Sequence, residues 1–164
     1  MAVLPVLHWP DSRLSTRCAE VTEVTDELRQ LVADMLDTMY AAPGRGLAAP
    51  QVGAMLRVFV MDCGWKTGPR NPRICLNPDI LWMSKTRVSG PEGCLSIPGV
   101  TAEVSRARAI QLRWMDLEGE THQADLTEFD AICAQHEFDH LDGVVTFNRL
   151  SPEARARAEA EYLA

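Results

Sequence analysis

The sequence has no long apolar run, since no stretch approaches the roughly 18 consecutive apolar residues of a membrane-spanning helix. Residues 1–5 contain neither the basic segment nor the apolar core of a secretory signal, so we expect a cytoplasmic protein without membrane partners. Positive charge is also scarce, with 16 Lys and Arg against 23 Asp and Glu and a formal net charge of −7. This balance argues against a general nucleic-acid-binding protein, which needs clustered basic residues to neutralise phosphates.

Cysteines are few, and they show no repeated spacing. Five is an odd number, so a disulfide framework is not expected, and thiols that stay reduced in the cytoplasm can bind metal. Cys18, Cys63 and Cys75 lack metal-like spacing and are interpreted as structural. With 164 residues, 46% hydrophobic and 24% charged, the chain can fill one core, so residues 1–164 are predicted to form a single domain.

A histidine pair in the pattern H-E-x-x-H lies at His136 and His140. On a helix, residues four apart lie on the same face, so two imidazoles at this spacing can bind one metal ion. Glu137 lies between them and can accept a proton beside the same ion. A helix can also carry two such histidines by chance, so the remaining motifs must support the metal site.

Three features predict a helix around this pattern. Thr127 and Asp130 have the spacing of a capping box, with Asp in the position usually held by Glu or Gln. Gly143 lies where a C-terminal glycine ends a helix. Apolar residues and histidines recur at helical intervals at Phe129, Ile132, Cys133, His136 and His140.

Two further stretches contain residue types that form sites. Residues 44–53 match the spacing G-x-G-x-x-A of dinucleotide-binding loops. That fingerprint joins a strand to a helix, whereas here a predicted helix precedes the glycines and Pro50 interrupts the segment, so a dinucleotide-binding loop is not expected. Small residues here let the backbone approach another group closely, and Gln51 offers two N–H donors and one acceptor. In residues 91–99, Cys94 lies between a glycine and a short apolar run, and its thiolate could be the third ligand of a two-histidine site.

The remaining pattern predicts an α+β fold, in which antiparallel strands pack around a central metal-binding helix, with an N-terminal and a C-terminal helix. Thr25 is expected to cap the first helix, whose apolar stripe covers residues 28–40, and Ser151 precedes the last helix, which extends to Leu163. An extended arm is expected over residues 1–24. Strands are predicted at residues 57–62, 74–76, 80–87, 100–104, 110–115 and 121–126, with the last two forming a hairpin.

Taken together, three stretches resemble the three motifs of the peptide deformylases, in the same order along the chain. They are residues 46–51 (GLAAPQ), 92–96 (EGCLS) and 135–141 (QHEFDHL), and the resemblance covers roughly residues 4–151. It implies a metal-dependent hydrolase that removes the formyl group from the N-terminal formyl-methionine of newly made polypeptides and releases formate.

The resemblance also implies one divalent metal ion bound by Cys94, His136 and His140. Fe²⁺ is usual in the native enzymes, although these ligands also suit Zn²⁺, Ni²⁺ or Co²⁺. Three protein ligands leave a position for water, as in catalytic sites, and the implied metal lowers the pKa of that water. Glu137 would accept the proton of this water and pass it to the leaving amine.

Further roles are implied for residues around the metal. Gln51 and the backbone N–H of Leu95 would donate hydrogen bonds to the oxyanion, and Asp139 would orient a ligand histidine. The backbone at Gly46 and Gly93 would lie along the extended peptide. The pocket for the methionine side chain would be formed near Glu92, Phe129, Ile132 and Cys133.

Several positions depart from the pattern of the family, and they bear on substrate range, as in a deformylase-like paralogue. Arg45 stands where an aliphatic residue is usual, Thr101 where an arginine is often found, and Asp130 where the metal helix generally begins with an apolar residue. Residues 145–148 (VTFN) replace an apolar run followed by Asp. The charged head of Arg45 either reaches water while its stem covers apolar surface, or stays at the pocket mouth and pairs with an acidic group of the substrate.

Two other functions fit parts of the sequence. A zinc peptidase of the H-E-x-x-H type takes a downstream carboxylate ligand, and Glu159 or Glu161 lies at a suitable separation. This interpretation leaves the cysteine and glutamine motifs unexplained. A non-enzymatic metal-binding descendant would have no need of Glu137 and Gln51, both of which are present.

The expected partner is an N-formylmethionyl peptide or nascent chain. Contact with the ribosome through Arg155 and Arg157 would rest on analogy alone, because Glu153, Glu159 and Glu161 outnumber these cations in the same helix. The sequence does not indicate an oligomeric state.

Overall fold

The computed structural model describes residues 2–164. In chain order its elements are α1 (Asp26–Ala41), β1 (Gly46–Ala48), β2 (Val58–Met61), β3 (Arg73–Met83), β4 (Arg87–Cys94), β5 (Ile97–Ala107), β6 (Ala109–Met115), β7 (Thr121–Thr127), α2 (Glu128–Leu141) and α3 (Pro152–Leu163). The strands β1-β2-β3-β6-β7 form one antiparallel sheet in that order, and β4 pairs with β5 in a second. The predicted α+β class, with a helix near each end and a central helix, is confirmed.

Strand β2 joins the two main parts of the core. Its side chains alternate, so that Val58 and Val60 pack with α1 while Phe59 and Met61 pack with α2. The hydroxyl of Thr25 accepts a hydrogen bond from the third residue of α1, as predicted. The apolar stripe of α1 is buried at Leu28, Val32, Met35 and Met39, which confirms that its methionines fill the core.

The C-terminal helix α3 packs on β5 and on the N-terminal arm. Ala158 lies in a buried cluster with Ile97 and Leu14, and the hydroxyl of Tyr162 donates to the carbonyl oxygen of Trp9 over 2.9 Å. The arm, predicted to be extended, contains a short 3-10 turn at Ser12–Ser15 and contributes to this third cluster. The arm therefore packs against β5 through this cluster.

Strand boundaries differ from the prediction at several places, since β1 and most of β4 were not predicted and β5 is longer than the predicted strand over 100–104. The expected break at Asn77 and Pro78 is an irregularity within one continuous strand β3, where Asn77 has φ 48° and its side chain bonds both the N–H and the C=O of Val21 over 2.8 Å. The predicted strand over 80–87 is confirmed for residues 80–83 only, because β3 ends at Met83 and β4 begins at Arg87. Strand β4 then continues to Cys94, and its pairing with β5 carries the cysteine motif.

Strand β7 leads into α2 without a loop. Thr127 immediately precedes α2, but its side chain makes no capping hydrogen bond, so the predicted capping box with Asp130 is wrong. Arg108 holds the junction instead. Its carbonyl oxygen accepts a hydrogen bond from the N–H of Glu128 over 3.0 Å, and its Nε donates to the carboxylate of Glu128 over 2.7 Å. The predicted C-terminal glycine is confirmed, since Gly143 has φ 75° just beyond the helix.

Candidate metal centre and active-site cavity

Helix α2 brings His136, Glu137 and His140 to one place. The ring centroids of the two histidines lie 5.1 Å apart, as expected for residues one turn apart on a helix. Ala131 and Ala134 on this helix are fully buried against the sheet, and their small side chains allow close approach. The histidines are therefore held by a buried helix and not by a surface loop.

Cys94 comes from the second sheet and completes a cluster of donors. It ends β4, and a two-residue turn leads to Ile97, its partner in β5. Its Sγ lies 3.5 Å from Nε2 of His140, and the donor atoms of Cys94, His136 and His140 all lie within 4.8 Å of one another. One thiolate and two imidazoles are a ligand set of divalent transition metals, so these residues fit such an ion.

His136 is oriented by Glu92, whereas Asp139 was predicted to orient a ligand histidine. Nδ1 of His136 lies 2.9 Å from Oε1 of Glu92, which leaves Nε2 available to a metal. Asp139 instead accepts from Arg106 over 2.9 Å and from Arg149 over 2.6 Å. The prediction for Asp139 is therefore wrong. Glu92 orients the ligand histidine instead, and it also lines the active-site cavity.

Arg106 was missed by sequence reasoning. Its buried guanidinium donates to both oxygens of Glu92, over 2.6 and 2.9 Å, and to Asp139. Burial acts to raise the pKa of Glu92, but the hydrogen bonds from His136 and Arg106 outweigh it, so the pKa lies below its usual value. A signal existed in β5, because Arg106 alternates onto the same face as the buried Val104, and a buried cation requires an anionic partner.

The two histidines have pKa values shifted in opposite directions. Burial and the neighbouring His136 hold the pKa of His140 well below its usual value. Burial acts to lower the pKa of His136 too, but Glu137, the thiol of Cys94 and Glu92 outweigh it and raise that pKa well above the usual value. Protons therefore compete with a metal ion more strongly at His136 than at His140.

Glu137 is a buried carboxyl with an unsatisfied oxygen. Within the part of the chain that the structure describes, its Oε1 has no hydrogen-bond partner. Burial raises the pKa of Glu137 to about 7, against the opposing effects of His136 and Arg106. The carboxyl fits only because Gly46 lacks a side chain, since a Cβ there would lie 2.4 Å from Oε2. A carboxyl with a near-neutral pKa is suited to accepting and returning a proton.

Gln51 is fixed with its amide nitrogen towards the cluster. It is buried, and its Oε1 accepts from the backbone N–H of Ala48 over 2.9 Å. Its Nε2 therefore faces the other way, 3.0 Å from Oγ of Ser96 and 3.7 Å from Sγ of Cys94. Leu95, in the turn between β4 and β5, lines the same cavity as Gln51.

A cavity of about 900 Å³ opens onto the cluster. It is lined by all of the predicted site residues except the buried His140, namely Arg45, Gly46, Gln51, Glu92, Gly93, Cys94, Leu95, Phe129, Ile132, Cys133, His136 and Glu137. Of the residues that depart from the family pattern, Thr101 lines the cavity and Asp130 does not. Lys66 also lines it and was missed, because no pattern in the loop after β2 indicates where that loop folds.

A second group of possible donors lies elsewhere. Asp116, Glu120 and His122 come together on the surface, and Nε2 of His122 is 2.6 Å from Oδ2 of Asp116. Such partly exposed acidic groups commonly lie together without an ion. Glu159 pairs with Arg155 on α3 over 3.6 Å, and neither Glu159 nor Glu161 belongs to a donor group of residues 2–164. The peptidase interpretation therefore lacks its third ligand.

Comparison with known proteins places the chain in a family. The polypeptide deformylase family model matches residues 3–156. The chain belongs to the peptide deformylase family. A peptide deformylase of Afipia carboxidovorans is 44% identical over 162 residues, which cover 99% of this chain and 95% of the relative. A peptide deformylase-like protein of Bradyrhizobium diazoefficiens is 42% identical over 162 residues, covering 99% and 94%.

Solved structures agree with the sequence comparison. The peptide deformylase of Ehrlichia chaffeensis, solved in complex with actinonin, is 37% identical and has a TM-score of 0.92 over 98% of this chain and 96% of its own. The predicted resemblance and fold are thus confirmed, and like its family the chain is a metal-dependent hydrolase. Among residues 2–164, no helix combines the length and hydrophobicity that crossing a bilayer requires.

Proposed function

We propose that the cavity is the active site of a peptide deformylase, which hydrolyses the formyl group of N-terminal formyl-methionine and releases formate. The observation that carries this proposal is the cluster of Cys94, His136 and His140 beside the buried Glu137, at the wall of a cavity large enough for a peptide end. In this proposal residues 1–164 act as one catalytic domain.

Cys94, His136 and His140 would hold one divalent ion. The fit rests on the donor types, one soft thiolate and two imidazoles, and on the contact between Glu92 and Nδ1 of His136, which leaves Nε2 free. When bound, such an ion lowers the pKa of a water molecule and polarises a carbonyl oxygen. We propose Fe²⁺ as the native ion, with Zn²⁺, Ni²⁺ and Co²⁺ as substitutes that the same donors accept.

Glu137 moves the proton in this mechanism. Its buried carboxylate accepts a proton as water adds to the formyl carbon, and returns it to the amine nitrogen as the carbon–nitrogen bond breaks. The raised pKa of Glu137, about 7, suits both transfers. Nε2 of Gln51 and the backbone N–H of Leu95 donate hydrogen bonds to the oxygen that becomes negative, and one such donor typically contributes ~10²–10³ in rate.

The cavity walls bind the substrate. Phe129, Ile132 and Cys133 project from α2 and form an apolar surface for the methionine side chain. The thiol of Cys133 stays protonated there, because its contact with Cys63 and its burial raise its pKa well above the usual value. Gly46 and Gly93 line the same cavity, where an extended peptide can pass their backbone without side-chain obstruction.

The substrate is an N-formylmethionyl peptide or nascent chain, and we propose the cytoplasm as its compartment. All five cysteines are unpaired, which suits a reducing environment. Arg155 is already paired with Glu159, so ribosome contact through α3 would depend on Arg157, and the proposal does not require it.

The deciding experiment measures formate release from formyl-Met-Ala-Ser together with bound metal. Cys94→Ala should lose both metal and activity, whereas Glu159→Ala should keep both. Full metal content with no formate release from the unmodified protein would refute the enzyme and favour a non-enzymatic descendant. Metal loss in Glu159→Ala but not in Cys94→Ala would favour the peptidase ligand set.

A further inference from the structure

The exposed charges that line the active-site cavity are both positive. Among residues 2–164 the Asp, Glu, Lys and Arg side chains at its walls are Arg45, Lys66, Glu92 and Glu137. The two carboxylates have little exposure, and Glu92 is paired with Arg106. Arg45 and Lys66 are exposed, and neither forms an ion pair with a carboxylate of the described residues. Two unpaired cations at one opening contrast with a net charge of −7 for the whole chain.

The position of Arg45 at this opening is well defined. Its carbonyl oxygen accepts from the backbone N–H of Asp62 over 2.8 Å and lies 3.7 Å from Sγ of Cys133. Its guanidinium carbon lies 5.4 Å from the ring centroid of Phe129, which projects from α2 across the rim. A contact of this kind between a guanidinium and an aromatic ring favours positions of the charge at the opening.

Lys66 is brought to the same rim by its neighbour Trp65. The indole Nε1 of Trp65 donates to the carbonyl oxygen of Gly44 over 2.9 Å, which ties the loop after β2 to the residue before Arg45. The indole also packs edge-on against Tyr40 at 5.1 Å. Nζ of Lys66 lies 5.8 Å from the indole centroid, so the ammonium is placed beside the cavity by an anchored side chain.

We propose that Arg45 and Lys66 select formylated peptides that carry Asp or Glu at one of the first two residues after methionine. This inference rests on the proposed function, because a formyl group at the metal cluster and a methionine side chain on the apolar wall direct the following residues towards the opening. An acidic side chain there meets two cations and no exposed carboxylate. A partly solvated ion pair favours it by about two- to five-fold, and a Lys side chain at the same place is disfavoured.

The test compares kcat/KM for formyl-Met-Glu-Ser and formyl-Met-Ser-Glu with their Gln counterparts, which differ in charge but hardly in shape. The larger Glu/Gln ratio should be about two to five at low salt, and should fall towards one at about 1 M salt, where charges are screened beyond about 3 Å. Arg45→Gln and Lys66→Gln should each lower this ratio. Lys85→Gln, which removes an exposed charge that does not line the cavity, should leave it unchanged.

A Glu/Gln ratio of kcat/KM equal to one at both peptide positions in the unmodified enzyme overturns the inference. An unchanged ratio in both Arg45→Gln and Lys66→Gln also overturns it. If the Gln peptides are hydrolysed rapidly but the Glu/Gln ratio is one, the deformylase function stands and only the proposed selectivity is refuted. No formate from any peptide overturns the selectivity together with the function on which it rests.

Discussion

Gly46→Ala is predicted to disable the enzyme while leaving the metal in place. A Cβ at Gly46 would lie 2.4 Å from Oε2 and 2.9 Å from Cδ of Glu137, and 3.0 Å from Sγ of Cys133. Ordinary contact begins near 3.4 Å, so the carboxylate must move by about 1 Å. The backbone of Gly46 cannot retreat freely, because it is paired with Met61 in the sheet.

The size of the effect follows from this displacement. Misplacing a reacting group by about 1 Å costs roughly 10²-fold in rate, and general acid–base catalysis as a whole contributes about 10²–10⁴-fold. We therefore expect kcat to fall about 10²-fold or more, with metal content unchanged. Steady-state formate release and metal analysis of the same sample measure both. Gly64→Ala is the matched control, because a Cβ at Gly64 has no atom within 4 Å.

Two results would refute this reasoning. An unchanged kcat with full metal content would mean that Glu137 tolerates the methyl group or does not move the proton. A higher KM at unchanged kcat would mean that the methyl group obstructs the substrate and spares the carboxylate. As a further check, Gly46→Ala combined with Glu137→Ala should be no slower than Glu137→Ala alone, since both changes act through one carboxylate.

The ion pairs and ligands of the cluster lead to three other expectations. Arg106→Leu should lower the free energy of unfolding of the metal-free protein by about 3–5 kcal/mol, since Glu92 and Asp139 lose their buried partner. Arg113→Leu, which breaks an exposed ion pair, should lower it by only about 0–1 kcal/mol. Equal urea midpoints for the two variants would contradict this. Peroxide should inactivate the iron form faster than the zinc form, because the thiolate of Cys94 would then lie on a redox-active ion; equal rates would sink the idea. Metal content should fall as pH drops from neutral to about 4, because protons compete for the ligands; a flat profile would count against them.

Local features of this protein could be predicted from sequence alone. The cap at Thr25 and the buried stripe of α1 depend on residues within a few positions of each other, and so does the end of α2 at Gly143. The spacing of His136 and His140 is a property of any helix, so it predicted the histidine pair directly. These interactions are encoded in neighbouring residues, and tertiary packing did not need to be known.

Other predictions failed because distant parts of the chain compete with local preference. The break expected at Asn77 is only an irregularity within β3, since pairing with β6 resumes at Asp79 while the Asn77 side chain bonds Val21, 56 residues away. The capping box at Thr127 is absent because β7 leads directly into α2 and Arg108 holds the junction. In both places a contact between remote residues replaced a local signal.

The surroundings of the metal cluster were decided only by tertiary structure. Glu92 and His136 are 44 residues apart, and they meet because β4 pairs with β5 beside α2. Arg106 was hidden for the same reason, since its two carboxylate partners come from different elements. Lys66 reaches the cavity through a hydrogen bond of its neighbour to Gly44. The sequence alone determined which atoms can bind metal and move a proton, because those are properties of residue types at short spacing. Tertiary packing determined which charges surround them, because it brings together residues that no local pattern connects.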